Sequence, residues 1–454
     1  MNHDTAVRDD DTRSVMKGLT AAGVVATLVL PVMLPGGYWW GPLWLAVLGV
    51  IAGLRRLWPG LVQAQARSFG DRGWGLAILL LLVALGLVIM AGVHDELLTV
   101  APRVLAIGMA LLAMVALHTW RPPLAALWTG VALGGVMSGA WSLWQRLELG
   151  AGRASGHEPL HAILYGNISL LTGMLCLAGV AWALSRPRRP VWLVVLLAGA
   201  VGGVMASVLS GTRGGWIAMP LILLVFHRGF ISGLAGGQKA ALWLAVVALL
   251  AGLYLAPQTG VQQRVTLAVD EVSHYLTGEA ADTSSVTTRL EMWRGAGRLI
   301  LEHPVLGHGA ETYHSRMVAM AEAGVLAESV TPHRHAHNDF LDAWVKHGLP
   351  GLVMLLALYL LPLWLFRSGL RHTDPGHRAL AVAGLLLPVA FIDFGLTYSF
   401  MAYAVGVVVY GVWLVVIWTL YRHVPVKSIP ERESARSSSS DDSSPPVRKE
   451  PRVA

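Results

Sequence analysis

The sequence predicts an all-α polytopic membrane protein with about twelve transmembrane helices and one large external loop. Of its 454 residues, 55% are apolar and only 13% are charged, and the mean hydropathy is +0.57. Soluble domains average roughly 25% charged residues, so the composition excludes an ordinary soluble enzyme and a mostly disordered chain. The apolar runs are long and continuous, whereas the strands of a transmembrane barrel are short and alternate in polarity.

Twelve segments are long and apolar enough to cross a membrane, which takes about 20 residues of helix. They are 18–36, 38–54, 73–93, 104–119, 123–144, 161–184, 190–210, 214–227, 240–255, 349–366, 379–398 and 402–421. The tight turn Pro35-Gly36-Gly37 separates the first two. The eighth is short and is expected to need tilt or flanking residues. The first is not predicted to be a cleavable signal peptide, because no small-residue cleavage site precedes the second.

The distribution of Lys and Arg predicts the orientation. Counted over the tails and the short loops, 23 lie on the side of the two termini and 4 on the opposite side, and the other 7 lie in the long loop 256–348. Cytoplasmic loops carry the excess of basic residues. We therefore expect both termini in the cytoplasm and the long loop outside. The net charge of +7 reflects this asymmetry, and no nucleic-acid partner is expected, because no basic patch with interleaved aromatic residues lies outside the membrane.

The predicted organisation has five parts. They are a cytoplasmic tail, 1–17; nine transmembrane helices, 18–255; an external loop domain, 256–348; three transmembrane helices, 349–421; and a cytoplasmic tail, 422–454. The last part is rich in Ser, Pro and charged residues, which is typical of disorder.

The external loop holds eight of the 17 His residues and 11 of the 27 acidic residues, so it has its own chemistry. Three helices are predicted in it. The first begins at a capping box from Thr288 to Glu291, the second covers about Glu311 to Gly324, and the third begins at the N-cap Asn338 and ends at Gly348. The stretch 256–285 has no clear period.

Two arginines have the setting of a phosphate site. Arg213 lies between glycines at an external membrane edge, and Arg289 lies at the start of an amphipathic loop helix. A guanidinium is suited to bidentate contact with phosphate. Ordinary roles also fit, because Arg213 can snorkel to the interface and Arg289 can belong to a solvated face with its neighbours.

The segment from His333 to Asn338 holds three histidines at alternate positions. One interpretation is a zinc site, a second is one catalytic histidine with structural neighbours, and a third is a polar loop. No further ligand stands at a standard zinc spacing, and the single cysteine, Cys176, lies in an apolar run. We therefore expect no metal and no disulfide.

Asp393 lies inside the eleventh predicted span, where an acid is costly and is a functional candidate by default. The alternative is that it pairs with another buried polar group. His161 and Asn167, at the start of the sixth span, are candidates for lining the same cavity, although a polar helix end also explains them. Arg146 lies in the preceding external loop.

Several short motifs occur together in a fixed order. They are Arg213-Gly214, Arg289-x-x-Met292-Trp293, Pro304-Val305-Leu306-Gly307-His308-Gly309, His337-Asn338-Asp339-Phe340-Leu341 and Lys346-His347-Gly348. In this order and topology the sequence resembles the O-antigen ligase and polymerase superfamily, and within it most closely the lipopolysaccharide O-antigen ligases. The resemblance covers about residues 200–350.

The resemblance implies a GT-C-type glycosyltransferase in a bacterial inner membrane, with its active site facing the periplasm and no cofactor. It implies His337 as the catalytic residue and Arg213 and Arg289 as ligands of the pyrophosphate. Asp393, His335, His161 and Arg146 are expected to support the site.

The implied donor is an O-antigen polysaccharide on undecaprenyl pyrophosphate, and the implied acceptor is a sugar hydroxyl of lipid A-core, both within membrane lipids. Direct displacement would invert the anomeric centre without a metal ion. Two enzyme alternatives share this donor, namely an O-antigen polymerase and a protein O-oligosaccharyltransferase. A lipid-linked sugar transporter is the alternative from another class, but a transporter favours charges at mid-span.

Overall fold

A computed structural model describes residues 2–57, 74–212, 214–256, 261–277 and 284–423. Within these ranges every regular element is helical, which confirms the all-α class. The α-helices are α1 Asn2–Met33, α2 Gly37–Leu57, α3 Trp74–Val93, α4 Leu97–Trp120, α5 Leu124–Leu147, α6 Ala162–Ala183, α7 Arg189–Ser210, α8 Met219–Phe226, α9 Gly236–Leu255, α10 Val261–Thr277, α11 Ser285–Glu302, α12 Ala310–Glu322, α13 Asp339–Phe366, α14 Pro375–Thr397 and α15 Ala404–His423.

Among the described residues, eleven helices are long and apolar enough to span a membrane. They match eleven of the twelve predicted spans. The ninth corresponds to α9, whose apolar part, Gly236–Gly252, is shorter than the others. The turn between the first two spans is also confirmed, because Gly36 has a φ of 63° between α1 and α2. The predicted tail 422–454 lies outside the described residues beyond His423.

The start of the fourth span was predicted too late. The predicted span 104–119 leaves Arg103 in the external loop before it, but α4 begins at Leu97 and Arg103 lies within it. Pro102 is in the second turn of α4, so the Pro-Arg pair that resembled a loop is part of the helix. Arg103 is therefore an arginine inside a transmembrane helix.

Helices α5, α6 and α7 pack together through glycine. A Cβ at Gly135 of α5 would lie 2.2 Å from the Gly199 carbonyl oxygen of α7, and a Cβ at Gly203 would lie 2.4 Å from the Ser169 carbonyl oxygen of α6. Small residues let transmembrane helices approach closely, so that dispersion contacts and backbone dipoles hold them together.

Helices α14 and α15 lie at the centre of the bundle. More than four-fifths of the membrane-spanning window of each is buried, as it is for α6. Where α14 ends and α15 begins, the rings of Phe391, Phe394 and Phe400 contact one another at centroid distances between 5.1 and 5.7 Å. This aromatic packing gives the short connection 398–403 a rigid base.

The external segment has a small hydrophobic core of its own, which joins α11, α12 and the first turns of α13. Its buried members include Met292, Leu299, Tyr313, Val330 and Val345. This core docks on the bundle through Glu96, at the start of α4. The Glu96 carboxylate accepts hydrogen bonds from the first two backbone N–H groups of α12, at 2.7 and 2.8 Å, where an anion is favoured by the helix dipole.

Two predictions for this segment were wrong. Helix α11 begins at Ser285 with Ser284 as its N-cap, whereas the predicted cap Thr288 instead donates to the Ser329 hydroxyl. Both positions carry a hydroxyl, and tertiary contacts decide between them. The region 256–285 also contains the helix α10. The second loop helix and the start of the third are confirmed, because α12 covers Ala310–Glu322 and the Asn338 side chain caps α13.

Helix α13 does not end at Gly348 as predicted but kinks there, with φ of 63° and ψ of −163°. The kink leaves the Val345 and Lys346 carbonyls without helical partners, because Leu349 N–H turns to Pro304 O and Pro350 has no N–H. The backbone N–H groups of His308 and Gly309 replace those partners at 2.9 Å. The Pro-Val-Leu-Gly-His-Gly motif therefore closes the kink that carries α13 from the loop into the membrane.

Candidate functional site

A group of histidine and tyrosine side chains meets where α6 begins, α13 begins and α14 ends. We call it the His–Tyr cluster. Its members are His161, His333, His335, His337, Tyr398 and Tyr403. Adjacent rings lie between 4.9 and 6.3 Å apart, and every ring in the cluster contacts at least one other. The cluster brings together segments that are more than 200 residues apart in the chain.

His337 has an unusual backbone. Its φ is +49°, a conformation uncommon outside glycine and frequent at functional sites. The next residue, Asn338, holds this conformation. Its side chain caps α13 and also donates to Leu396 O, and its backbone N–H donates to the Ser399 hydroxyl. His337 is thereby fixed to the end of α14.

The His337 ring is half-buried, between the rings of His333 and Tyr398 at 5.0 and 4.9 Å. Burial, together with His333 and Arg289, lowers the pKa of His337 to about 3. The imidazole is therefore neutral at neutral pH. Its buried Nδ1 has no hydrogen-bond partner within the described part of the chain.

Arg289 approaches the same place from α11. Arg289 is half-buried. Burial is the main cause that lowers the pKa of His333 and His337, and the positive charge of Arg289 lowers both values further. The same charge acts on the Tyr398 hydroxyl. The structure thus brings the predicted phosphate ligand Arg289 to the predicted catalytic residue His337, although they are 48 positions apart in the sequence.

Tyr398 is oriented by His161. The Ile163 backbone N–H donates to His161 Nδ1 at 3.3 Å, so this nitrogen carries a lone pair. The proton of the neutral ring is then on Nε2, which donates to the Tyr398 hydroxyl oxygen at 2.7 Å. The hydroxyl proton of Tyr398 is not used in this contact. It points toward Tyr403, with which Tyr398 also hydrogen-bonds, or toward a bound ligand.

His335 faces away from His337 and binds the ion pair of Lys346 and Asp342. Lys346 Nζ donates to His335 Nδ1, to Arg334 O and to the Asp342 carboxylate, all at 2.8–2.9 Å. These three acceptors use all three ammonium protons. The Asp342 carboxylate also accepts from the Ala336 backbone N–H at 2.9 Å. The buried ion pair of Lys346 and Asp342 therefore fixes the segment 334–336 through hydrogen bonds to all three of its residues.

The hydrogen bond from Lys346 explains the tautomer and the lowered pKa of His335. Because its Nδ1 accepts from an ammonium, its proton lies on Nε2. Burial and the Lys346 charge lower the pKa of His335 to about 4. Of the three alternate histidines, His333 and His337 have rings in contact at 5.0 Å, whereas His335 binds Lys346. Among the described residues no group of three or more His, Cys, Asp or Glu side chains is placed to hold a metal ion, and metal independence remains a prediction.

The other predicted residues have separate settings. Arg213 lies outside the described residues, so its role remains a prediction. Asp393 is fully buried in α14 and accepts a hydrogen bond from the Ala218 backbone N–H at 2.9 Å, at the start of α8. Arg146 is exposed and donates to Ala151 O and Gly152 O. Asp393 therefore joins two helices, and Arg146 closes the loop after α5.

Sequence reasoning did not assign roles to Tyr398, Asp342 and Lys346. Lys346 belongs to the quoted Lys-His-Gly motif, and its spacing of four from Asp342 is a signal of a helical ion pair. Tyr398 carried no such signal, because its partners come from α6 and from the loop.

The Lys346→Met substitution tests the ion pair. It leaves the Asp342 carboxylate buried without a cation, which typically costs about 3–5 kcal/mol, so we expect a clearly lower unfolding temperature. The double variant Lys346→Met, Asp342→Leu removes the unpaired charge and is expected to regain stability while His335 stays without its partner. The measurement is thermal unfolding of the detergent-solubilised protein.

The Arg334→Met variant is the control, because the Arg334–Glu311 pair is exposed and such pairs contribute about 0–1 kcal/mol. A Lys346→Met protein as stable as Arg334→Met would show that the buried pair does not hold the segment.

The chain is similar to known proteins over part of its length. A family model described as O-antigen ligase matches residues 198–356, a range that contains Arg213, Arg289 and His337. An O-antigen ligase of Pseudomonas aeruginosa is 29% identical over 236 residues, which cover 42% of this chain and 55% of that protein. An uncharacterized protein of Haemophilus influenzae is 27% identical over 280 residues, 61% of this chain and 68% of that protein.

The chain thus spans little more than half of the O-antigen ligase that it matches. The range 198–356 that the family model matches contains Arg289 and His337, which lie close together in the structure. The family match and this relative show that the chain is similar to O-antigen ligases.

Proposed function

We propose that this protein is a lipopolysaccharide O-antigen ligase. It transfers an O-antigen polysaccharide from undecaprenyl pyrophosphate to a sugar hydroxyl of lipid A-core, at the periplasmic face of the inner membrane. The observation that carries the proposal is the convergence of Arg289, His337, Tyr398 and His161 at the junction of the bundle with the external segment. Substrates anchored in the outer leaflet would present their head groups at such a junction.

In the proposed reaction the acceptor oxygen attacks the anomeric carbon of the donor, and the bond from that carbon to the pyrophosphate breaks. The leaving pyrophosphate takes the electron pair and gains negative charge. Arg289 and, on sequence grounds, Arg213 stabilise that charge. Two guanidiniums in a site of low dielectric can do this without a metal ion.

His337 accepts the proton of the attacking hydroxyl. In the free protein its pKa is about 3, which makes it a weak base, but the causes of this value suggest how it is activated. An anionic donor next to Arg289 would offset the positive charge and raise the pKa of His337. A general base typically contributes about 10²–10⁴-fold to the rate, and most when its pKa is near the operating pH. Donor binding would thus prepare the base.

The lipopolysaccharide profile of a deletion strain tests the activity. The proposal predicts bare lipid A-core together with free lipid-linked polymer, both corrected by the wild-type gene. Core carrying a single repeat would instead indicate a polymerase. Normal lipopolysaccharide with a glycosylation defect in periplasmic proteins would indicate a protein glycosyltransferase. Accumulation of donor on the cytoplasmic side would indicate a transporter.

Tyr398 is proposed to donate its hydroxyl proton, which the contact with His161 does not use, to a substrate oxygen in place of Tyr403, and His161 is proposed to position Tyr398. Tyr398→Phe removes only the hydroxyl, and loss of one preorganised donor typically lowers turnover by about 10²-fold. His161→Asn keeps a good helix cap but loses the contact with Tyr398. If His161 acts only through Tyr398, the double variant is no slower than Tyr398→Phe alone.

The measurement is turnover of the purified variants with donor and acceptor, with Tyr403→Phe as the matched control. Effects of His161→Asn and Tyr398→Phe that multiply in the double variant would contradict the positioning role. Full activity of Tyr398→Phe would contradict the donor role.

A further inference from the structure

A cavity lies between α3, α4, α13 and α15, next to the connection 398–403. The space between its lining side chains is about 750 Å³, part of which is open to the surroundings of the protein. Most of its wall is hydrocarbon, contributed by side chains such as Val83, Leu87, Ile107 and Leu355. One wall is α3, whose other face exposes apolar side chains toward the lipid. A hydrocarbon chain fits such a space.

The polar lining of the cavity comes from Arg103, His347, Asp339 and Asp342. The two carboxylates already have partners. Asp339 accepts from Met401 N–H and the Tyr359 hydroxyl, and Asp342 is paired with Lys346 as described above. These acids therefore do not need a ligand, and the charge of Asp342 also acts on Arg103.

The two basic groups have unmet hydrogen-bonding capacity. The Nε atom of Arg103 and the Nδ1 atom of His347 are buried, and neither has a hydrogen-bond partner within the part of the chain that is described. Arg103 Nε carries a proton, and a buried donor without an acceptor costs about 1–3 kcal/mol, so it calls for an acceptor from outside the chain. His347 Nδ1 can donate to the same acceptor in the tautomer that carries its proton there. An arginine that only snorkelled would place its head group in water.

The position of Arg103 along α4 also fits a contact with the phosphate of a lipid. It lies six residues after the first residue of α4, which at about 1.5 Å per residue is roughly 9 Å along the helix from its external end. A lipid in the outer leaflet places its phosphate near this level and its hydrocarbon chain below. The cavity wall has its charged and apolar groups in the same order as such a lipid, since Arg103 is nearer the external end of α4 than the apolar Ile107.

We propose that this cavity is a lipid site, which holds one hydrocarbon chain of a phosphate-bearing lipid with the phosphate on Arg103 and His347. The site is separate from the one around His337 and does not depend on the ligase assignment. The cavity and the site around His337 are adjacent. Met401 and Ala402, which line the cavity, stand in the sequence between Tyr398 and Tyr403 of the His–Tyr cluster.

Native mass spectrometry of the full-length protein, extracted in mild detergent, tests the proposal. The wild type is expected to retain one phosphate-bearing lipid, whose mass distinguishes a glycerophospholipid from a polyprenyl phosphate or a lipid A. The Arg103→Gln variant loses charge-assisted hydrogen bonds to the phosphate and is expected to retain about tenfold less lipid. Arg146→Gln is the control, since that guanidinium binds only its own loop.

A second variant fills the cavity without touching a charge. Gly411 lines it, and a Cβ there would meet nothing nearer than Ala110 Cβ at 3.7 Å, so Gly411→Leu can enter the space without moving the backbone. It is expected to lower lipid retention as Arg103→Gln does. A wild type without bound lipid would overturn the proposal. Retention by both Arg103→Gln and Gly411→Leu at the wild-type level would also overturn it.

Discussion

The ammonium group of Lys346 is the contact on which the site depends. It lies in the first turns of α13 and is almost fully buried. Burial of a charge is unfavourable unless it is paired and hydrogen-bonded, and here each of its three protons has an acceptor. Two of those acceptors, Arg334 O and His335, belong to the segment that precedes His337. The ion pair with Asp342 thus connects the membrane helix to the position of His337.

The kink at Gly348 provides the other half of this support. Because α13 breaks there, the carbonyls of Val345 and Lys346 bind the backbone of His308 and Gly309. The turn that contains those residues follows α11, which carries Arg289. The Pro-Val-Leu-Gly-His-Gly and Lys-His-Gly motifs, which are separate in the sequence, are therefore joined by backbone hydrogen bonds. These bonds help to place the Arg289 guanidinium and the neutral His337 imidazole at the junction of the bundle with the external segment.

The sequence predicted features that depend on local physics. Hydropathy located eleven of the spans that the structure describes, and capping rules located Asn338. The same rules misplaced the start of α11, because Ser284 and Thr288 are both competent caps and only the tertiary contact of Thr288 with Ser329 distinguishes them. Arg103 resembled a loop residue because the sequence did not reveal the cavity beside it.

The site was predictable only in part, for the same reason. His337 and Arg289 were identified by motif, and the structure places them together. The contacts of Tyr398 with His161 and His337 join residues that are 237 and 61 positions apart, and no local pattern records such a contact. The role of Lys346 combines a visible ion-pair spacing with an acceptor in the His335 ring that only the fold brings near.

Separation of donor binding from proton transfer tests the central claim most directly. The measurement is the dissociation constant for the lipid-pyrophosphate donor and the single-turnover ligation rate of His337→Ala in lipid nanodiscs. The account predicts that donor affinity is largely kept while ligation falls by about 10²–10⁴-fold, and that Arg289→Gln weakens donor binding instead. Near-normal ligation by His337→Ala, or a loss of donor affinity that accounts for its defect, would contradict the account.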